Sequence, residues 1–421
     1  MFEKASILEK PKKVLFLGGF PQMTDIVNKA KEMGIYTIVV DMDSNSPAKK
    51  VSDKSYDIST NEIESLVEIC NKEEIDGIFN GFEDFNIHIA RKLCERMELP
   101  FYANEKQLEL VTIKDKFKNE CMLHGIEVVR QFSLDEAIKC KEYPYIIKPV
   151  DSYGSRGISI CYSEDDLAKG KIKAEESSKT NSVIIEQFID SNCGTELFYT
   201  IVNGKVHLTA TADRYTYKMD EVSVPLPIAE VFPTKYRGKE LSELDVKFKK
   251  MIYDLGIKNG LILIQMLNKG DKFYPYEMAY RLTGEQHYQL VEEQRHVDLG
   301  KMMIKLCMNE DISDYDTEDI DSDKFIKPSA NLAVLLKPGK IDKIRGLEIL
   351  ENMPEIKSSI VTHKENEYIE DIGDYSRILL RVNLVAENQM KLSKAIELIQ
   401  DSIVVVSDQG EEMVASHFSL D

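Results

Sequence analysis

The stretch Lys13–Asp41 leaves this chain few folds to choose from. Lys13–Leu17 is an apolar run ended by Gly18-Gly19, Met23–Met33 has helical periodicity and stops at Gly34, and Tyr36–Val40 is a second β-prone run ended by Asp41. Strand, glycine turn, helix, strand, acid is the opening of a doubly wound parallel sheet, whose strands need crossover helices to pair. Helix Ile63–Cys70, strand Gly77–Asn80 and helix Asn86–Met97 continue the alternation. The glycines do not form GxGxxG, so a Rossmann-like domain without a bound dinucleotide is expected.

A second stretch carries chemistry. Tyr145–Ile147 and Ile158–Cys161 read as strands, and between them lies Ser152-Tyr-Gly-Ser-Arg-Gly157. Glycines let backbone amides approach and surround an anion, and Lys148 on the strand just before could hold phosphate as a point charge. Taken alone, the stretch fits a glycine turn beside a surface lysine equally well. Upstream, Thr112–Lys116 starts a helix that runs to His124-Gly125. Two lysines at a helix start are unfavourable unless an anion is near, which makes Lys116 a phosphate candidate and a solvated lysine the alternative.

Downstream the reading gives helix Asp165–Lys179, strands Ser182–Glu186 and Leu197–Val202, an Asn203-Gly204 hairpin turn into Val206–Ala212, and a proline-rich loop from Val224 to Pro233. Helix Ser242–Leu255, strands Leu261–Leu267 and Phe273–Met278, and one helix over Glu285–Leu306 follow. Glu310–Asp323 holds eight acids in fourteen positions and reads as a solvated linker. Beyond it, strand Asn331–Leu336, strand Ile378–Val385, helix Met390–Asp401 and strand Ile403–Val406 form a small α+β tail.

Acids exceed bases to a net charge of −19, which argues against a nucleic-acid backbone or an anionic membrane as main partner. Seven scattered cysteines contain no CxxC pair, fitting a reducing compartment and neither a disulfide framework nor a zinc site. The first residues show no apolar signal region and no run reaches transmembrane length, so a cytoplasmic protein is expected.

In order, Lys116, Lys148 with Ser152–Gly157, Glu186-Gln187-Phe188-Ile189, Glu196, Gln265 and Glu277-Met-Ala-Tyr-Arg281 line up with a family. The chain resembles the ATP-grasp enzymes, closest to the branch of biotin carboxylase, carbamoyl-phosphate synthetase and the purine-pathway ligases. Its tail, at Lys337–Gly346, is similar to that of bacterial L-amino-acid ligases. The resemblance implies an α/β chain with a Rossmann-like pre-ATP-grasp domain (1–112), an ATP-grasp core (113–308) carrying a mobile lid over about 143–210, an acidic linker (309–327) and a small α+β C-terminal domain (328–421).

The resemblance also implies roles. Lys116 and Lys148 would hold ATP phosphates under a lid of Ser152, Tyr153, Gly154, Ser155 and Gly157. Glu186, Gln187, Phe188 and Ile189 would read and sandwich adenine, and Glu196 would accept ribose hydroxyls. Gln265 and Glu277 would carry magnesium, and Arg281 together with Lys148 would serve catalysis at a substrate carboxylate or acyl phosphate. The family usually has Asn two residues after the metal-binding Glu; here it is Ala279, so one magnesium site is expected and a second is in doubt. The implied reaction is ATP-dependent carboxylate–amine ligation through an acyl phosphate, on small-molecule substrates, with a homodimer as an allowed assembly. A phosphoribosylglycinamide-synthetase-like or carbamoyl-phosphate-synthetase-like ligase, and a non-catalytic ATP sensor, are the alternatives. The loop Val222–Tyr236 and the region around His287 are expected to shape the substrate pocket.

Overall fold

The computed structural model describes residues 10–151, 157–219, 224–236, 238–321, 325–370 and 375–420. The α/β chain divides into two compact units: the chain up to Asn104 with Asp298–Asp314, and Glu105–Val297 with the chain from Tyr315. Among the described residues no helix is long and apolar enough to cross a membrane.

In the first unit, β1 (Lys13–Leu17), β2 (Tyr36–Asp41), β3 (Lys54–Asp57) and β4 (Gly77–Phe79) form a parallel sheet in the order β3-β2-β1-β4. Alternate strand residues point to opposite faces. Leu15, Leu17, Ile38, Val40 and Ile78 bury one face against Leu66, Ile69, Ala90 and Leu93 of helices Ile63–Glu73 and Asp84–Met97. Helix Leu299–Cys307 packs on helix Met23–Glu32 and β4, where Lys29 pairs with Asp298 at 2.7 Å. The glycine turn closes on the protein's own residues, because the Gly19 amide donates to Asp41 Oδ2 at 2.6 Å.

The second unit contains two larger sheets. The smaller of them is antiparallel, ordered β5-β8-β6-β7, from β5 (Gln131–Phe132), β6 (Tyr145–Pro149), β7 (Ser159–Cys161) and β8 (Val183–Gln187). Helix Glu164–Glu176 lies on it, its Leu167 and Ala174 packed with Tyr145, Ile147, Cys161 and Ile185. The other sheet has eight strands in the order β13-β12-β9-β10-β11-β14-β18-β16. They are β9 (Cys193–Val202), β10 (Lys205–Tyr217), β11 (Leu226–Phe232), β12 (Gly260–Lys269), β13 (Lys272–Ala279), β14 (Ser329–Leu335), β16 (Ile356–Val361) and β18 (Ile378–Val385). Between them in the chain, β15 (Gly339–Arg345) and β17 (Tyr368–Ile369) join β19 (Val404–Ser407) in a three-stranded sheet. The β9–β10 hairpin turns at Asn203 (φ 50°) and Gly204 (φ 84°), the left-handed pair that suits strand twist.

Three expectations change. The proline-rich stretch expected as a loop forms β11, because its Ala229–Val231 segment pairs with both β10 and β14 and the strand buries Ile228, Ala229 and Phe232. The helix expected over Glu285–Leu306 is two, His287–Arg295 and Leu299–Cys307, interrupted where His296 takes φ 59°. The acidic stretch is pinned and not merely solvated: Ile312 and Ile320 are buried, Asp316 pairs with Lys205 and His207, and Asp321 accepts the Leu208 amide.

Candidate active site

Lys148 stands on β6, buried, with its ammonium 2.8 Å from Glu186 Oε2. Glu186, on β8, is 2 % exposed, and its other oxygen meets the ammonium of Lys118 from helix Lys114–Leu123. Burial and the charge of Lys114 push Lys148 down to about 7, against the opposing pull of Glu277 and Asp115. Burial and the charge of Lys148 push Lys118 down to about 5. Lys114 and Lys118 are four residues apart and share a helix face; Lys116 lies on the other side. There it pairs with Glu109 at 2.5 Å, half exposed, and the structure does not bring it to Glu186. Lys118 occupies that place. Helical period read from buried Phe117 and Cys121 was the available signal for it.

Ser152, Tyr153, Gly154 and Ser155 lie outside the described residues. Gly157 has φ +74°, and a Cβ there would meet the Ser177 Cβ at 2.5 Å, so the end of this loop needs glycine. Its other end is clamped by Asp151, which accepts from Ser178 Oγ at 2.7 Å and from the amides of Lys179 and Thr180.

Past β8, Gln187 Nε2 donates to the Glu142 and Pro144 carbonyls, and the Phe188 amide donates to Pro144 O at 3.0 Å. Lys218 Nζ stands 4.8 Å from the Phe188 ring centroid. Among the described residues no backbone carbonyl takes the amide of Ile189, whose side chain is nearly buried.

The remaining candidates fall on one face of the eight-stranded sheet. Register pairs Glu277 with Gln265, Gln265 with Glu196, Arg214 with Glu230, Glu230 with Asn331, and Asn331 with Asn383. Residues opposite one another in register share a face, so these side chains form a polar row from β13 to β18. Tyr276 donates to Gln265 Oε1 at 3.1 Å, and Gln265 Nε2 donates to Glu196 Oε1 at 2.7 Å. Glu277 is partly buried, and its charge reaches Lys148. Burial and Glu230 push the fully buried Glu196 up to about 8, opposed by Arg214 and His287. The structure therefore brings Glu196 together with Gln265, Arg214, Glu230 and His287.

The segment after β13 lies over this row. Arg281 donates to the Leu282 carbonyl at 3.0 Å, and the Glu285 carbonyl accepts from Asn331 and Asn383. Arg381 Nη2 is 3.2 Å from Glu285 Oε1. Burial opposes ionisation of Glu285, but Arg381 and His287 outweigh it and hold the carboxyl down to about 2. Arg214 donates to Tyr375 Oη at 3.1 Å. Arg214, Glu230, Glu285 and Arg381 were not singled out from sequence. The signal for Arg381 was a charge inside the apolar run Ile378–Val385, all of whose residues are buried.

Such residues could hold a nucleotide and its metal. The ammoniums of Lys118 and Lys148 could take the phosphates. The Ile189 amide, which among the described residues no backbone carbonyl takes, could meet adenine, and Glu277, whose charge acts on Lys148, a divalent ion. Residues 109–315 match the family model "Carbamoyl-phosphate synthase L chain, ATP binding domain", and residues 14–99 match "PylC-like, N-terminal domain". The chain belongs to the ATP-grasp ligases.

Among its ATP-grasp relatives is a formate-dependent phosphoribosylglycinamide formyltransferase of Methanocaldococcus jannaschii. It is 26% identical over 287 residues, covering 64% of this chain and 69% of that protein. The chain spans about half the length of other such transferases it matches, such as that of Nitratiruptor sp., 30% identical over 185 residues, 42% of this chain and 48% of the relative. The L-amino acid ligase of Bacillus licheniformis superposes over 95% of this chain and 100% of that one, with TM-score 0.77 and 15% identity. The biotin carboxylase domain of the Hydrogenobacter thermophilus 2-oxoglutarate carboxylase, a complex with MgADP, ADP and bicarbonate, superposes over 96% and 91% with TM-score 0.75 and 19% identity. Both likenesses are of fold.

Proposed function

We propose that this ATP-grasp chain joins a small-molecule carboxylate to an amine, with release of ADP and phosphate. The observation that supports this most is the buried Glu186, shared by Lys118 and Lys148 beside Glu277. It sets a phosphate-binding charge next to a metal-binding one at the end of a polar row that carries further guanidinium groups. When bound, ATP supplies the phosphoryl group that turns the carboxylate into an acyl phosphate, and magnesium neutralises its charge.

The chain's own residues position and neutralise. Lys148 and Lys118 hold the phosphates, and Ile189 with Glu186–Phe188 holds the base. Glu277 carries the metal, with Gln265 oriented beside it by Tyr276 and Glu196. Arg281, Arg214 and Arg381 offer planar forks for the substrate carboxylate, which bind such groups in pairs of hydrogen bonds. A carboxylate oxygen displaces ADP from the γ-phosphorus; the amine nitrogen then displaces phosphate from the acyl carbon and gives up a proton. No side-chain nucleophile is required, since phosphoryl transfer rests on positioning and electrostatics. Every cysteine is a free thiol, which supports a reducing, cytoplasmic setting.

The test is a panel of carboxylic acids and amines assayed for ADP. ADP formation that requires one of each supports ligation. Nucleotide binding with no acid- or amine-dependent ADP would instead favour the sensor reading, which Ala279 motivates by withholding a second metal oxygen.

A further inference from the structure

The middle of the polar row holds three residues to which ligation gives no joint role. Glu196 on β9, Glu230 on β11 and His287 at the head of helix His287–Arg295 each offer one ligand atom, and these lie within 4.8 Å of one another. The three residues are 0 %, 1 % and 3 % exposed. Glu196 and His287 are held from outside the trio. Gln265 Nε2 and Arg214 Nε sit 2.7 and 3.3 Å from Glu196 Oε1, while Glu196 Oε2 is buried with no hydrogen-bond partner. Thr283 Oγ1 is 2.8 Å from His287 Nδ1, which turns Nε2 onto Glu230 Oε2. Phe198 and Phe232 wall the imidazole, their centroids 4.7 and 5.5 Å from its own.

Buried carboxylates are retained when paired or when they hold a cation. Here Glu285 has Arg381 at 3.2 Å and Glu230 has His287, while the buried Glu196 Oε2 has no hydrogen-bond partner. An imidazole whose second nitrogen meets a hydroxyl, and a carboxylate whose second oxygen meets an amide, is how outer contacts orient metal ligands.

We propose that Glu196, Glu230 and His287 bind a divalent transition ion of the zinc class, at a site distinct from the magnesium carried by Glu277. The imidazole donor selects against magnesium, which prefers all-oxygen sets. Binding draws a proton from the cluster and parts His287 Nε2 from Glu230 Oε2, because metal bonds of about 2.0–2.2 Å hold neighbouring donors farther apart than their present contact. The ion ties β9 and β11 to the segment that carries Arg281 and Glu285, so its occupancy sets how firmly the substrate guanidinium is held.

The experiment uses the full chain stripped of metal, without nucleotide, titrated with Co2+ and read by visible absorption. One equivalent should give ligand-field bands that Zn2+ abolishes by competition. The bands should survive in Glu277→Gln and vanish in His287→Gln. Thr283→Val, which keeps all three ligands, should weaken Co2+ binding by about 10- to 100-fold. Should His287→Gln fail to fold, pulsed electron-nuclear spectroscopy of Mn2+ on the wild-type chain still decides, by showing coupling to one imidazole nitrogen. No bands and no nitrogen coupling would mean that a proton alone occupies the cluster, and that overturns the proposal; so would bands unchanged by His287→Gln.

Discussion

Lys118 and Lys148 face opposite oxygens of one buried carboxylate, Glu186. One comes from a helix and the other from a strand, so the carboxylate fixes the distance between the two ammoniums. Burial lowers Lys118 to about 5 and Lys148 to about 7, so an arriving phosphate would favour the charged forms that the dry site alone disfavours.

The first expectation follows for nucleotide affinity. Lys148→Ala should weaken ATP binding more than tenfold, since a desolvated charge-assisted contact is worth about 1.5–3 kcal/mol. Lys118→Met should weaken it comparably, and Lys116→Met far less, because Lys116 is paired with Glu109 away from the carboxylate. Titration calorimetry on the three variants ranks them; a Lys116 effect as large as that of Lys118 would reverse the assignment.

Lys148 also sets a pH dependence. Its proton affinity falls from an ordinary 10.5 to about 7 in the fold. Between those values the unfolded chain binds the extra proton, so this residue adds stability as pH rises from 7 to 10.5 and withdraws it as pH falls through 7. The melting temperature of the nucleotide-free wild type should therefore gain on that of Lys148→Met across this window. Parallel melting curves at all pH values would show that the lysine stays charged.

The metal assignment predicts loss of turnover in Glu277→Gln with the fold retained. Gln265 cannot compensate, because a neutral amide coordinates magnesium more weakly than a carboxylate. Ala279→Asn should lower the magnesium concentration needed for half-maximal ADP formation. Full activity in Glu277→Gln under a magnesium titration would remove Glu277 from the site.

Arg381 and Glu285 predict a double-mutant result. Arg381→Met strands a buried carboxylate and should cost about 3–5 kcal/mol in urea unfolding at pH 7. Glu285→Gln in the same chain should recover most of that. The pair's contribution is present above the ordinary carboxylate range and is lost as pH falls toward about 2, where Glu285 is held. Additive costs for the two changes would mean that the pair is not coupled.

The parallel sheet was legible because β1 and β2 are continuous apolar runs separated by a glycine-stopped helix, a pattern with one packing solution. Glu186, Gln265 and Glu277 stood out as candidates because they fall in an ordered set of spaced motifs, and their roles remain those proposed above. Lys118 was hidden because the choice between it and Lys116 depends on which helix face is buried. β11 was hidden because its prolines suggest a loop, and only pairing on both sides makes a strand of it. Glu230, Asn331 and Arg381 could not be joined to the site from sequence, since cross-strand register alone brings together residues far apart in the chain.

β11 does not end its sheet: β14 binds it and β18 binds β14. A polypeptide shortened before Ser329 would leave the amides and carbonyls of Ala229–Phe232 without their partners, beside apolar side chains built for burial. Bare edges of that kind recruit other strands. Loss of the tail would thus be felt first as clumping and disposal by cellular quality control, before any question of catalysis arose.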